Sequence, residues 1–178
     1  ILDRNGRVMA RSVEVFSVYA KPAEISDYLT VANTLGPLLG LAPQELFDRL
    51  SSTRRHFLWI KRKIDDYTAE AIRKARLPGI GLSKEYERVY PFKHMAGQLL
   101  GFVGFDDNGL EEGQEDPHGD DVTLTIDVQM QFFAEEAIAR AVKDAEARWG
   151  GALVVHVPSG EILAWAQYPF FNPNSFKQ

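Results

Sequence analysis

The chain has 178 residues, 45% hydrophobic and 25% charged, a balance that fits one ordinary globular domain or two small ones and excludes a disordered or fibrous chain. Its formal net charge of −5 argues against nucleic acid as a partner. Cysteine is absent, which excludes thiol catalysis, disulfides and thiolate metal sites, and no apolar run approaches the roughly 20 residues that cross a bilayer.

Charge is unevenly spread. Residues 49–64 hold six basic side chains (Arg49, Arg54, Arg55, Lys61, Arg62, Lys63) and no acid, whereas residues 104–127 hold nine acids and no Lys or Arg. The split either steers one face toward an acidic partner or forms solvated faces. The chain opens at Ile1 inside an apparent strand, which reads as a piece of something longer with a membrane anchor upstream.

In chain order, apolar runs flank Asn5-Gly6, a dipeptide that tolerates positive φ at both central turn positions and so predicts a hairpin. Residues 13–20 alternate (Val13, Val15, Phe16, Val18, Tyr19) and read as a strand ended by Pro22. Ile25, Tyr28, Leu29, Ala32 and Leu35 then recur at helical spacing until Gly36-Pro37 interrupts them. Pro43, at a first helical position, opens a second short helix with Leu46, Phe47 and Leu50. Phe57, Leu58, Trp59 and Ile60 form a compact strand. Asp65 and Asp66 cap a helix from about Tyr67 to Ala75, stopped before Pro78-Gly79. Residues 79–82 read as a turn, and residues 99–104 as a short strand between glycines.

Residues 106–121 are acidic, glycine-rich and almost without apolar side chains, the best linker candidate in the chain. Residues 122–126 read as a strand. Asp127 reads as the N-cap of the longest helix, expected from Val128 to about Trp149 and ended by Gly150-Gly151. Phe133, Ala137, Ala141, Ala145 and Trp149, four apart, form its core stripe, with Ala134, Ile138 and Val142 beside them. Residues 153–157 and 161–166 form a hairpin around Pro158-Ser159-Gly160, and residues 169–178 form a loop. In it, Phe170, Phe171 and Phe176, with Tyr168 before them, read as an aromatic patch that looks exposed only because the rest of a larger domain is absent.

Several of these landmarks follow one another in a telling order: Asp3-Arg4-Asn5-Gly6 with Ala10, Leu77-Pro78-Gly79-Ile80, Arg88-Val89-Tyr90-Pro91, Gly101-Phe102-Val103-Gly104 and Gly109-Leu110-Glu111. Leu124-Thr125-Ile126-Asp127, Gln131, Ala134-Glu135, Ser159-Gly160-Glu161 and Asn172-Pro173-Asn174 continue it. Each is weak alone; together they resemble the class B penicillin-binding proteins over nearly the whole chain. The run through Phe57-Leu58-Trp59-Ile60-Lys61-Arg62 looks more like the division (FtsI-type) branch than the elongation branch.

The resemblance implies an α+β protein. Residues 1–115 would be the amino-terminal pedestal or dimerisation domain, 116–121 an acidic linker or the site of a missing segment, and 122–178 the truncated start of the transpeptidase domain. The family usually places several tens of residues between its Gly-x-Glu motif and the Leu-Thr-Ile-Asp strand, so a segment is expected to be missing between Glu111 and Asp121. It also implies a parent enzyme, a serine D-Ala-D-Ala transpeptidase that crosslinks peptidoglycan outside the cytoplasmic membrane. The signature Ser-x-x-Lys is absent, and the nucleophile is expected just beyond Gln178. This stretch is therefore expected to carry no catalytic residue, cofactor or metal, and to bind no penicillin covalently. Implied partners are other division or cell-wall synthesis proteins and a second copy of the chain. Implied structural-motif residues are Asp3, Arg4, Gly6, Arg88, Tyr90, Pro91, Gly101, Gly109 and Glu111. Rival readings are a free-standing interaction module and an elongation-type enzyme.

From the residues alone, Arg4, Arg88 and Glu111 form either a network or ordinary surface charges. Gly79, Gly101 and Gly109 read as turn glycines. Asp106, Asn108, Gly109 and Glu115 fall at calcium-loop spacing, but Gly104 stands where the first ligand should be and flanking helices are lacking. His118 lies among acids that read as solvated. His56, His94 and His156 are scattered, with no carboxylate–serine constellation for a triad. Glu135 and Glu136 suit the helix dipole.

Overall fold

The computed structural model of the chain describes residues 1–52, 55–103 and 119–175. Helices and strands are mixed in an α+β arrangement. Contacts divide the chain into two compact units, Val13–Glu87 and Ile1–Ser12 with Arg88–Gln178. They follow backbone pairing rather than linear order, because residues 2–4 bond to residues 122–126.

In the unit Val13–Glu87, strand β1 (Arg11–Ala20) lies between β2 (Leu58–Ile64) and β3 (Ile80–Val89). Four successive β1 residues, Val15 to Val18, are buried, as a central strand covered on both faces requires. Helices α1 (Tyr28–Leu39), α2 (Pro43–Ser52) and α3 (Asp66–Ala75) supply Val31, Leu35, Leu39, Leu46, Leu50 and Ile72 to the core around Phe16 and Val18. Asp27 accepts from the N–H groups of Leu29 and Thr30, and Asp65 from that of Thr68, so both helices start on a carboxylate cap.

Three differences from the sequence pattern have local causes. α1 runs through Gly36-Pro37 to Leu39, although Pro37 has no N–H to give the ladder; Gly40, left-handed at φ 65°, then closes the helix. Gly81 lies in β3, not in a turn. Its missing side chain makes room for the Tyr19 ring, which a Cβ there would overlap. β2 also carries an extra residue: Phe16 pairs with Ile64 but Val18 with Lys61. At this bulge Lys63 is left-handed (φ 55°) and its N–H donates to the buried hydroxyl of Ser17 at 3.0 Å.

The basic run is tied into this unit. Arg49 Nη2 donates to the Trp59 carbonyl at 3.1 Å, and Lys61 Nζ to the Leu39 carbonyl at 2.6 Å, where the end of α1 leaves carbonyls unpaired. Arg62 grips Glu85 through Nε and Nη2 at 3.1–3.2 Å, with Glu85 buried.

The other unit begins with the amino-terminal turn. It is centred on Arg4-Asn5, with Gly6 left-handed at φ 79°: Gly6 N–H donates to the Asp3 carbonyl and Asp3 N–H to the Arg7 carbonyl. This is a three-residue hairpin loop with a glycine bulge, rather than a two-residue turn centred on Asn5-Gly6. Helix α4 (Gly97–Leu100) is a single turn where the sequence suggested a strand. Residues 122–126 form only an isolated parallel bridge, Leu2 to Thr123.

Helix α5 (Val128–Asp144) packs on the hairpin of β4 (Gly150–His156) and β5 (Glu161–Tyr168). It stops before Trp149 because Glu146 turns left-handed (φ 51°). The N–H groups of Glu146 and Ala147 return to the carbonyls of Lys143 and Val142. That is a Schellman ending without glycine. Gly150 instead lets β4 approach α5, since a Cβ there would lie 2.6 Å from Val142 Cγ2. The buried face of α5 is Val128, Gln131, Ala134, Glu135 and Val142, one notch round from the expected stripe, leaving Phe133 69% and Trp149 68% exposed.

Replacing Arg62 by Ala strands the Glu85 carboxylate and is expected to cost about 3 kcal/mol in urea unfolding, whereas the double replacement Arg62→Met, Glu85→Leu should recover most of that loss.

Candidate functional site

Asp3 is fully buried. Its Oδ1 accepts the N–H groups of Asn5 at 2.9 Å and Arg7 at 2.7 Å, and its Oδ2 accepts that of Val128 at 3.3 Å. One carboxylate thus organises the amino-terminal turn and helps to cap α5. Asn5 completes the junction by donating its amide to Asp127 Oδ2 at 3.0 Å, while Asp127 Oδ1 takes the N–H groups of Gln129 and Met130.

Burial pushes the Asp127 carboxyl up. The Met130 N–H, the Asn5 amide, the Gln129 N–H and nearby Arg7 outweigh it and leave its pKa below the ordinary 3.8.

Beyond Asp3, the motif residues take different places. Arg4 Nη2 lies 3.5 Å from Glu161 Oε2, with both side chains more than a third exposed, so the pair contributes little. Arg88 Nη1 donates to Ser12 Oγ at 3.2 Å. Pro91 is exposed, and Gly101, with a positive φ of 66°, closes α4. Gly109 and Glu111, the calcium-spaced loop and His118 lie outside the described residues.

Tyr90 is buried and held by a side chain. Asn174 Oδ1 accepts its N–H at 3.0 Å, and Asn174 Nδ2 donates to its carbonyl at 2.8 Å. The same device recurs at Trp165, whose N–H donates to Gln131 Oε1 and whose carbonyl accepts from Gln131 Nε2, both at 2.8 Å. Gln131 Nε2 also donates to Glu135 Oε1, which accepts the N–H of left-handed Ala96 at 2.7 Å. Glu135 is therefore a buried anchor for the turn before α4 rather than a partner of the helix dipole. The sequence contained one signal for it: Gln131 and Glu135 stand four apart on the same helical face as Ala134 and Ile138.

The loop after β5 is held along its length. Gln98 Nε2 donates to the Pro169 carbonyl at 3.0 Å, His94 stacks on Phe170 with ring centres 4.8 Å apart, and Phe102 meets Phe171 edge-on. Tyr168, Phe170 and Phe171 are half-buried here, and Phe176 lies outside the described residues. A Cβ on Gly97 would stand 2.7 Å from the Phe171 carbonyl oxygen.

One carboxylate–serine–histidine cluster does form, at the β4–β5 turn. The Ser159 hydroxyl donates to Glu161 Oε2 at 2.9 Å and lies 2.7 Å from His156 Nδ1. Serine sits between the other two, so the ring nitrogen facing it must donate and cannot act as its base. The cluster clamps a turn. Among the described residues, no group of three His, Asp or Glu side chains is placed to hold a metal.

The model of the penicillin-binding protein dimerisation domain matches residues 1–120. The chain belongs to the class B penicillin-binding proteins. It is 31% identical to "Probable peptidoglycan D,D-transpeptidase PbpC" of Pseudomonas aeruginosa, over 98% of this chain and 37% of the relative. It is 29% identical to "Peptidoglycan D,D-transpeptidase FtsI" of Escherichia coli, over 98% of this chain and 36% of the relative. Penicillin Binding Protein 2X of Streptococcus thermophilus shares the fold, with a TM-score of 0.72 at 20% identity over 99% of this chain and 35% of that one. This penicillin-binding protein chain thus spans just over a third of the length of these relatives. The alignment with PbpC is 209 residues long against a chain of 178, so that relative carries insertions this chain lacks.

A carboxylate whose pKa falls on folding contributes stability above its unfolded pKa and loses it as pH drops through the folded one. The stability gap between wild type and Asp127→Asn is therefore expected to narrow as pH falls from about 5 toward about 2, measured by denaturant unfolding; a constant gap would count against the carboxylate's role.

Proposed function

We propose that this chain is the non-catalytic pedestal and the opening of the transpeptidase domain of a peptidoglycan D,D-transpeptidase acting at the division septum. The observation that carries the reading is the alignment of 98% of the chain with FtsI of Escherichia coli, a D,D-transpeptidase of which the match spans 36%. The ties suit a support: they consist of caps, turn clamps and backbone bonds, and the Ser159 hydroxyl on Glu161 belongs to one such turn clamp. Acyl transfer needs a serine with a base on its hydroxyl and donors for the developing oxyanion, and the remaining length of the parent would supply them. No helix among the described residues is long and apolar enough to cross a membrane. In the parent, a single upstream anchor would hold this part on the outer face of the cytoplasmic membrane, where it would meet other division proteins.

Fluorescent penicillin is expected to label the full-length protein and to leave this chain unlabelled; a covalent adduct on residues 1–178 would overturn the non-catalytic assignment. A fluorescent fusion of the full-length protein is expected at the constriction site, and an even distribution around the envelope would remove the septal part of the reading.

A further inference from the structure

We infer that Asn174 is a positioning residue, and that residues 90–102 serve as its cradle: together they fix the course of the 169–175 loop into the catalytic part of the protein. The inference rests on the transpeptidase reading above.

The loop leaves β5 at Tyr168 and carries little regular structure of its own, only the short turn Pro173–Ser175. A segment of that kind has no internal ladder to define its path, so its position comes from outside. Here the outside contacts come from one stretch of chain. Gln98 holds the Pro169 carbonyl, His94 covers Phe170, Gly97 admits the Phe171 carbonyl, and Asn174 closes on Tyr90. The last contact is the most directional, because a primary amide matching both the N–H and the C=O of one residue fixes distance and orientation together. Asn174 is itself pre-set: Asn172 Oδ1 accepts its N–H at 3.0 Å, and Asn172 Nδ2 donates to Ser175 Oγ at 3.2 Å. The cradle is rigid where it matters, since Ala96 is held by buried Glu135 and Tyr90 is buried.

A displaced reactive group lowers the rate of bond formation more than the affinity for the acylating reagent. In the full-length protein, Asn174→Ala is therefore expected to slow penicillin acylation by about tenfold or more, with the dissociation constant of the preceding non-covalent complex little changed. Gln98→Ala, at an exposed bond and safer for folding, is expected to lower the rate in the same direction by a smaller factor. Asp65→Ala, which removes the cap of α3 in the other unit, provides the comparison: loss of stability without loss of acylation rate. In parallel, hydrogen exchange at the Tyr90 amide of the 178-residue chain is expected to quicken in Asn174→Ala.

If wild-type full-length protein is not acylated at all, the transpeptidase reading fails. Should wild type react while Asn174→Ala and Gln98→Ala react equally fast, or should Asp65→Ala lose as much rate at equal stability, the positioning role is overturned. A Tyr90 amide that exchanges equally fast in wild type and Asn174→Ala overturns it as well.

Discussion

The Asp3 carboxylate is withdrawn from water and offset by backbone donors from two places far apart in sequence, the turn at residues 3–7 and the first turn of α5. Burying such a group without partners would be strongly unfavourable, so the turn and the helix must be formed together for either to persist. Much of the discontinuous unit depends on this coupling. Residues 2–4 run beside residues 122–126 through backbone bonds, and the carboxylate and the Asn5 amide lock the end of that alignment at Asp127 and Val128. The family's first landmark and residues 122–126 are thereby one structural node.

Around that node the unit repeats a single solution to irregular backbone. At two places a primary amide matches both the N–H and the C=O of one residue: Gln131 at Trp165 and Asn174 at Tyr90. Left-handed Ala96 is served by Glu135 in the same spirit. Such bonds offset the desolvation of the groups they satisfy and also prescribe geometry, which generic apolar packing does not. They explain how a unit with few long strands can still present a defined loop.

Local signals in the sequence led to local structure. Asp65 and Asp127 cap the helices that follow them, Pro43 begins α2, and Gly160 sits at the β4–β5 turn. Where tertiary packing decided the outcome, composition misled. Gly81 looked like a turn because glycine is permissive, yet it lies in a strand to accommodate Tyr19; Gly150 looked like a helix stop, yet it serves close packing on Val142. The end of α5 was hidden because Glu146, not glycine, takes the left-handed position. The apolar spacing of Phe133 and Trp149 pointed to the wrong face, since Gln131 and Glu135, polar residues bonded inward, set the rotation of the helix. For the site, the motifs were legible as separate words along the chain. That Asp3 meets Val128, and Tyr90 meets Asn174, could not be read from spacings, because these contacts join positions more than 80 apart in sequence.

The discontinuity of the unit holding residues 1–12 and 88–175 sets an order of events during synthesis. The stretch Val13–Glu87 is continuous and contains its own sheet and helices, so it can mature while later residues are still being added. Its neighbour cannot close until Asn174 has been made, and until then the amino-terminal turn, with its acid, waits without the residues that close the unit. A nascent chain of this kind is most exposed to premature association and to proteases in that interval.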